Sequence, residues 1–135
     1  MENIKNMSIV VLCMDYRIWP KALLLLKEKY GDFDLVSMAG SCKNLNSPDQ
    51  EGYRETLLEN IRTSMRLHNA KKIILTNHLD CGGYGGSKKF ASKEEEISFH
   101  QNELERAKAF IQKNFPDLLV FTELILMDNG KISLK

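Results

Sequence analysis

Short apolar runs alternate along this chain with longer stretches in which apolar residues recur at helical spacing, and that alternation predicts the elements. Residues 8–14 (SIVVLCM) read as a buried strand. Residues 18–30 read as a helix: Pro20 suits its first turn, Leu23, Leu24, Lys27 and Tyr30 follow helical spacing, and Gly31 ends it. Residues 33–39 read as a second strand, and the polar stretch GSCKNLNSPDQEG after it as a loop. Residues 53–68 form a helical pattern with Leu57, Leu58, Ile61 and Met65 on one side. Residues 71–77 (KKIILTN) are the plainest strand, followed by a Gly-rich loop, HLDCGGYGGSKKFASK. Residues 94–114 read as a long helix that buries Ile97, Leu104, Ala107, Phe110 and Ile111 and is stopped by Pro116. Residues 118–127 read as a fourth strand, and the Asp-Asn-Gly that follows signals a hairpin into a short return strand at residues 131–134.

Strand–helix–strand repetition implies an α/β fold, a mostly parallel sheet with helices on both faces. The handedness of the crossovers restricts the strand order to 2-1-3-4, with the hairpin strand as a short antiparallel edge. Residues 1–135 are expected to form a single domain. In a sheet of that order the winding reverses between the first and third strands, and ligands bind at the carboxyl ends there. Two chemistry-bearing segments fall at that place: CMDYR, residues 13–17, and HLDCGG, residues 78–83.

Composition narrows the chemistry. The apolar share (43%) and charged share (27%) are those of an ordinary globular protein. A net charge of +1 offers no basic surface for nucleic acid, and no apolar run is long enough to span a bilayer, so neither partner is expected. The opening MENIKNMS lacks the apolar core of a signal peptide, which makes the cytoplasm the expected location. Three cysteines cannot all pair, and a reducing compartment disfavours disulfides. Metal binding or thiol chemistry then becomes the informative reading for them.

On an extended strand, Cys13, Asp15 and Arg17 would share one face. His78 and Cys81, three positions apart, sit on the turn that leaves the third strand. With Cys13 they supply two sulfurs and one nitrogen, a set that suits zinc. Three protein ligands leave a fourth position open, which is the catalytic rather than the structural arrangement. Zinc lowers the pKa of a bound water to about 7. Asp15 is placed to take that water's proton, and Arg17 to hold the Asp15 carboxylate through paired hydrogen bonds. Gly82 and Gly83 let the backbone come close to the metal. Each motif alone is a weak signal, whereas both at facing strand ends make a strong joint one.

These segments resemble the β-class carbonic anhydrases, which carry C-x-D-x-R, then an Ala-Gly pair after the second strand, then H-x-x-C-G. Here they read CMDYR, MAGS and HLDCGG, and the tail LMDNGKISLK is also similar, so the likeness runs from Ser8 onward. The resemblance implies Cys13, His78 and Cys81 as Zn2+ ligands and Asp15 and Arg17 as the dyad beside the metal. Asp15 would be a fourth ligand in a closed state. It implies reversible hydration of carbon dioxide to bicarbonate, and a homodimer whose pockets form at the subunit interface. Gly40, with Gly82 and Gly83, is expected on the substrate or anion side. Three departures stand out. Ser37 and Met38 replace the family's usual Arg-Asn. Tyr16, expected to face away from the site, stands where Ser is common. The family's N-terminal helical arm has no counterpart, as in a short form.

Because relatives on this scaffold hydrolyse carbon disulfide or carbonyl sulfide, a zinc hydrolase of another small electrophile is one alternative. A non-catalytic zinc-binding or regulatory module is another, and thiol redox chemistry between Cys13 and Cys81 a further one. Cys42 is expected to be a non-ligand. His68 and His100 are expected to be structural or exposed, and Met14 and Met38 core filler. The Gly-rich loop matches no nucleotide-binding or phosphatase spacing, and its turn toward Lys88 and Lys89 reads as an anion nest or a flexible loop.

Overall fold

The computed structural model describes residues 7–135. In chain order the elements are β1 (Ser8–Leu12), α1 (Trp19–Tyr30), β2 (Phe33–Ser37), α2 (Lys43–Asn46), α3 (Glu51–His68), β3 (Lys72–His78), α4 (Lys93–Asn114), β4 (Leu119–Asp128) and β5 (Lys131–Leu134). Between β3 and α4 the chain makes two short 3-10 turns, Gly82–Tyr84 and Ser87–Lys89. The sheet has the order β2-β1-β3-β4-β5, parallel throughout except for the antiparallel β4–β5 pair. That is the order expected from the pattern.

Strand β1 is buried along its whole length, because helices cover both faces. Val10 and Leu12 pack with Ile74 and Ile125 against Ile18, Ala22 and Leu26 at α1. Ile9 and Val11 pack on the other face against Leu57 and Ile61 of α3 and Leu104, Ala107 and Ile111 of α4. A parallel strand covered on both sides needs a continuous apolar run rather than an alternating one, and SIVVL supplies it. Helix ends follow local chemistry. Ser92 caps α4 by accepting the Glu95 N–H, with Glu94, Glu95 and Glu96 in the first turn. Gly31 closes α1 at φ 83°.

Several local expectations are corrected. The stretch read as a loop contains α2, held by Asn44 Nδ2, which donates to the Ala39 and Ser41 carbonyls at 2.8 and 3.0 Å. One turn of helix has no periodicity to read. In α1 the buried face carries Ala22 and Leu26, while Leu24 is exposed; the unbroken leucine run hid the true face. Met14 is exposed rather than core filler, because β1 ends at Leu12 and the chain turns out of the sheet. Among the described residues no helix is long and apolar enough to cross a membrane.

A candidate metal centre

The loops that follow β1, β2 and β3 meet at the carboxyl edge of the sheet. After Cys13 the chain tightens into a turn in which the Asp15 carbonyl accepts from the Ile18 and Trp19 N–H groups. The Asp15 carboxylate accepts from the Arg17 backbone N–H at 2.9 Å. This turn, not strand alternation, brings Arg17 beside Asp15, since residues 13–17 lie beyond the end of the strand. Arg17 then grips the carboxylate with two nitrogens, Nη2 to Oδ2 at 2.6 Å and Nε to Oδ1 at 3.1 Å. That grip holds the Asp15 carboxyl below the usual carboxylate range, against a smaller opposing effect of burial. Tyr16 is exposed to solvent.

The outer edge of the same guanidinium reaches the second motif. Arg17 Nη1 donates to Asp80 Oδ2 at 2.9 Å and Nη2 to the Asp80 carbonyl at 3.0 Å. Asp80 was not singled out by the sequence. It occupies one of the unspecified positions of H-x-x-C, and its place between His78 and Cys81 is the only signal that could have found it.

Cys13 Sγ, a ring nitrogen of His78 and Cys81 Sγ all lie within 4.8 Å of one another, and all three residues are buried. His78 Nδ1 is 2.7 Å from the Leu79 carbonyl oxygen, which can only accept. The ring proton is therefore assigned to Nδ1, and Nε2 presents a lone pair. That Nε2 is buried without a hydrogen-bond partner, 3.8 Å from Asp15 Oδ2. Buried polar atoms are ordinarily paired, so an orphaned lone pair beside two sulfurs fits a cation. The thiols agree. A hydrogen bond from Cys81 pulls the Cys13 thiol down to about 4; burial opposes this, and His78 and the Gly40 and Asp15 backbones assist. The same contact, with burial, pushes Cys81 up. A divalent ion would displace the thiol protons, as metal binding to thiols does. Two sulfurs and one imidazole form a donor set that zinc accepts.

Gly40 and Gly83 are where the β2 and β3 loops touch. A Cβ on Gly83 would come within 2.8 Å of the Gly40 Cα, and Gly40 itself sits at φ 84°. Gly82 has open space around it. Beside the trio opens a cleft of about 470 Å³ bordered by Met14, Met38, Ala39, Lys43, Tyr53 and Gly83.

Against the Tyr84 ring, 4.9 Å between centroids, lies a second buried imidazole, His100. Asn77 Oδ1 accepts the Cys42 N–H at 3.1 Å, which orients the amide and leaves its Nδ2 3.1 Å from His100 Nδ1. His100 thus accepts on Nδ1 and carries its proton on Nε2, 3.9 Å from Glu96 Oε2. Burial lowers its pKa to about 4 and keeps it neutral. Cys42 stands apart from the trio, its thiol 3.5 Å from the Thr76 carbonyl and pushed up to about 12 by burial. His68 is exposed, with Nδ1 2.7 Å from Asp34 Oδ2.

Residues 3–132 match the family model described as "Putative carbonic anhydrase". The chain belongs to the β-carbonic anhydrase family. The fold agrees with this. A carbonic anhydrase from Glaciozyma antarctica superposes with a TM-score of 0.61 at 17% identity, over 94% of this chain and 80% of that one. A β-carbonic anhydrase from Sordaria macrospora, described as tetrameric, gives 0.63 at 16%, over 94% and 79%. Two relatives described as uncharacterized proteins are nearer in sequence. One from Rickettsia bellii is 29% identical over 94% of this chain and 83% of its own length. One from Rickettsia conorii is 29% identical over 94% and 73%.

Proposed function

We propose that this carbonic anhydrase family member is a zinc-dependent lyase that interconverts carbon dioxide and bicarbonate. The supporting observation is the orphaned His78 Nε2 clustered with two buried thiols, 3.8 Å from a carboxylate that Arg17 grips from behind. Cys13, His78 and Cys81 would hold the ion. Bound there, zinc would supply the Lewis acidity that brings a water's proton within reach at neutral pH. Asp15 would accept that proton or orient the water through Oδ2, and Arg17 keeps the carboxylate ionised and aimed inward. The short reach from Asp15 to the trio also supports a closed state in which Asp15 takes the fourth position itself. The backbones of Gly40, Gly82 and Gly83 would face the substrate, which would arrive and leave by the cleft beside them.

The same reading places one domain over the whole chain, in the cytoplasm, where thiols stay reduced. It also expects a homodimer, supported by the exposed Met14, Tyr16 and Trp19 on the turn after β1, of which Met14 borders the cleft. The test is zinc analysis with stopped-flow carbon dioxide hydration. We expect about one zinc per chain, and a loss in kcat/KM of roughly 100-fold in Asp15→Asn assayed with zinc in excess. A zinc-loaded protein inert toward carbon dioxide between about pH 7 and 9 rejects the lyase assignment. The apolar border of the cleft, with Met14, Met38 and Ala39, favours one second reading, hydrolysis of carbon disulfide or carbonyl sulfide. Assaying these substrates on the same preparation separates the two. Inertness toward all of them leaves a zinc-binding module without turnover.

A further inference from the structure

Glu96 is 2% exposed, on the face of α4 that also buries His100, Glu103, Leu104, Ala107 and Ile111. A carboxylate is rarely buried unless its oxygens are engaged. Both are. Oε2 accepts the Asp80 backbone N–H at 2.7 Å, and Oε1 accepts the Ser87 hydroxyl at 2.7 Å. Ser87 returns the contact, its backbone N–H donating to Asp80 Oδ1 at 2.8 Å. Asp80, at φ 58°, is thereby held at its amide and at one carboxylate oxygen. Its other oxygen and its carbonyl receive Arg17, whose inner edge holds Asp15.

We propose that Glu96 and Asp80 are positioning residues of the metal site: Glu96 clamps the Asp80–Ser87 loop onto α4, and Asp80 anchors the outer edge of Arg17 so that Asp15 is presented to the Cys13–His78–Cys81 trio. The relay runs from a helix that supplies none of the proposed ligands, through one loop, to the dyad on another. It rests on the metal-site reading above. It adds that the dyad has a second carboxylate, so Arg17 keeps a partner whenever Asp15 turns toward the metal.

The test is a double-mutant cycle read by zinc affinity, from chelator competition, and by the visible bands of the cobalt-substituted protein. Asp80→Asn keeps the left-handed backbone but sets an amide NH2 against either Arg17 or the Ser87 N–H; Glu96→Leu removes both acceptors. Each should weaken zinc binding about 10-fold to 100-fold and alter the cobalt bands, the scale expected for groups that orient metal ligands. The double variant should be no weaker than the worse single one, because both act through the same loop. Glu96→Gln accepts from the Asp80 N–H and donates to Ser87 Oγ, and should restore affinity to within about threefold. If Glu96→Leu does not fold, Glu96→Asp, one methylene too short to reach both donors, replaces it in the cycle. Losses that multiply, or Glu96→Gln behaving like Glu96→Leu, overturn the relay while the metal site stands. A wild-type chain that binds no zinc overturns the functional reading and the relay with it.

Discussion

His78 and His100 are both buried, and each leaves Nε2 without a hydrogen-bond partner, yet the two rings are set for opposite tasks. At His78 a carbonyl accepts the Nδ1–H hydrogen bond and Nε2 is left as a lone pair. At His100 an amide NH2 occupies Nδ1 and Nε2 is left as an N–H near the Glu96 carboxylate. One hydrogen bond on the far nitrogen decides whether a buried imidazole presents a lone pair or a proton. The lesson is that burial and an orphaned nitrogen do not by themselves mark a ligand; the partner of the other nitrogen does.

The largest expected effect separates the rings directly. His78→Ala should lower zinc affinity by more than about 100-fold, measured by chelator competition, in addition to the cavity cost that truncating any buried ring carries. His100→Ala should also remove about 3–5 kcal/mol of stability in denaturant titrations through the cavity it opens, but with zinc affinity kept within about tenfold. If His100→Ala strips zinc as His78→Ala does, the distinction between the rings fails.

Acid probes the same contrast. His100 has a pKa of about 4 when folded, below the ordinary histidine value, so between about pH 6.5 and 4 the unfolded chain takes up a proton that the folded one refuses. Stability is therefore fully present above about pH 6.5 and falls as the pH drops, by about 3 kcal/mol over that window. Denaturant midpoints of the metal-free protein should show this slope, and His100→Leu should flatten it. A slope unchanged in His100→Leu would assign the acid sensitivity to other groups.

Smaller effects test what surrounds each ring. Gly83→Ala forces the β2 and β3 loops apart, because its Cβ would meet the Gly40 backbone at 2.8 Å. A cost of about 1–3 kcal/mol in the melting transition, together with weaker zinc binding, is expected. Cys42→Ser should change stability by less than about 1 kcal/mol, since the hydroxyl can still reach the Thr76 carbonyl, and should leave zinc content as it was. With its thiol pushed up to about 12, Cys42 should also resist alkylation in the native protein near pH 8.

The sheet was legible because its signals are local. SIVVL and KIILTN are apolar runs that only a covered parallel strand explains, Gly31 and the Asp-Asn-Gly turn mark chain reversals, and handed crossovers leave few orders. The meeting of CMDYR with HLDC was legible for the same reason, since the strand order alone puts their ends side by side. What escaped was polar and buried. The apolar periodicity of α4 picked out Ile97, Leu104, Ala107, Phe110 and Ile111, but its buried face also carries Glu96, His100 and Glu103. A pattern that counts only apolar residues passes over these three. Asp80 escaped because its partner Arg17 lies 63 positions earlier in the chain. Met14 was misplaced because the strand was read two residues too long.

The sequence by itself determined the α/β order and which donors arrive at the carboxyl edge of the sheet. Apolar periodicity and turn chemistry are written in neighbouring residues. Only the tertiary structure decided which nitrogen of each histidine is free, which carboxylates hold Arg17, and that Cys42 is kept apart from Cys13 and Cys81. Those outcomes depend on single hydrogen bonds, several between residues far apart in the chain. The Cys42 amide that orients Asn77, for example, lies 35 positions from it. A hydrogen bond is made or lost over less than an ångström, a distance that no residue spacing encodes.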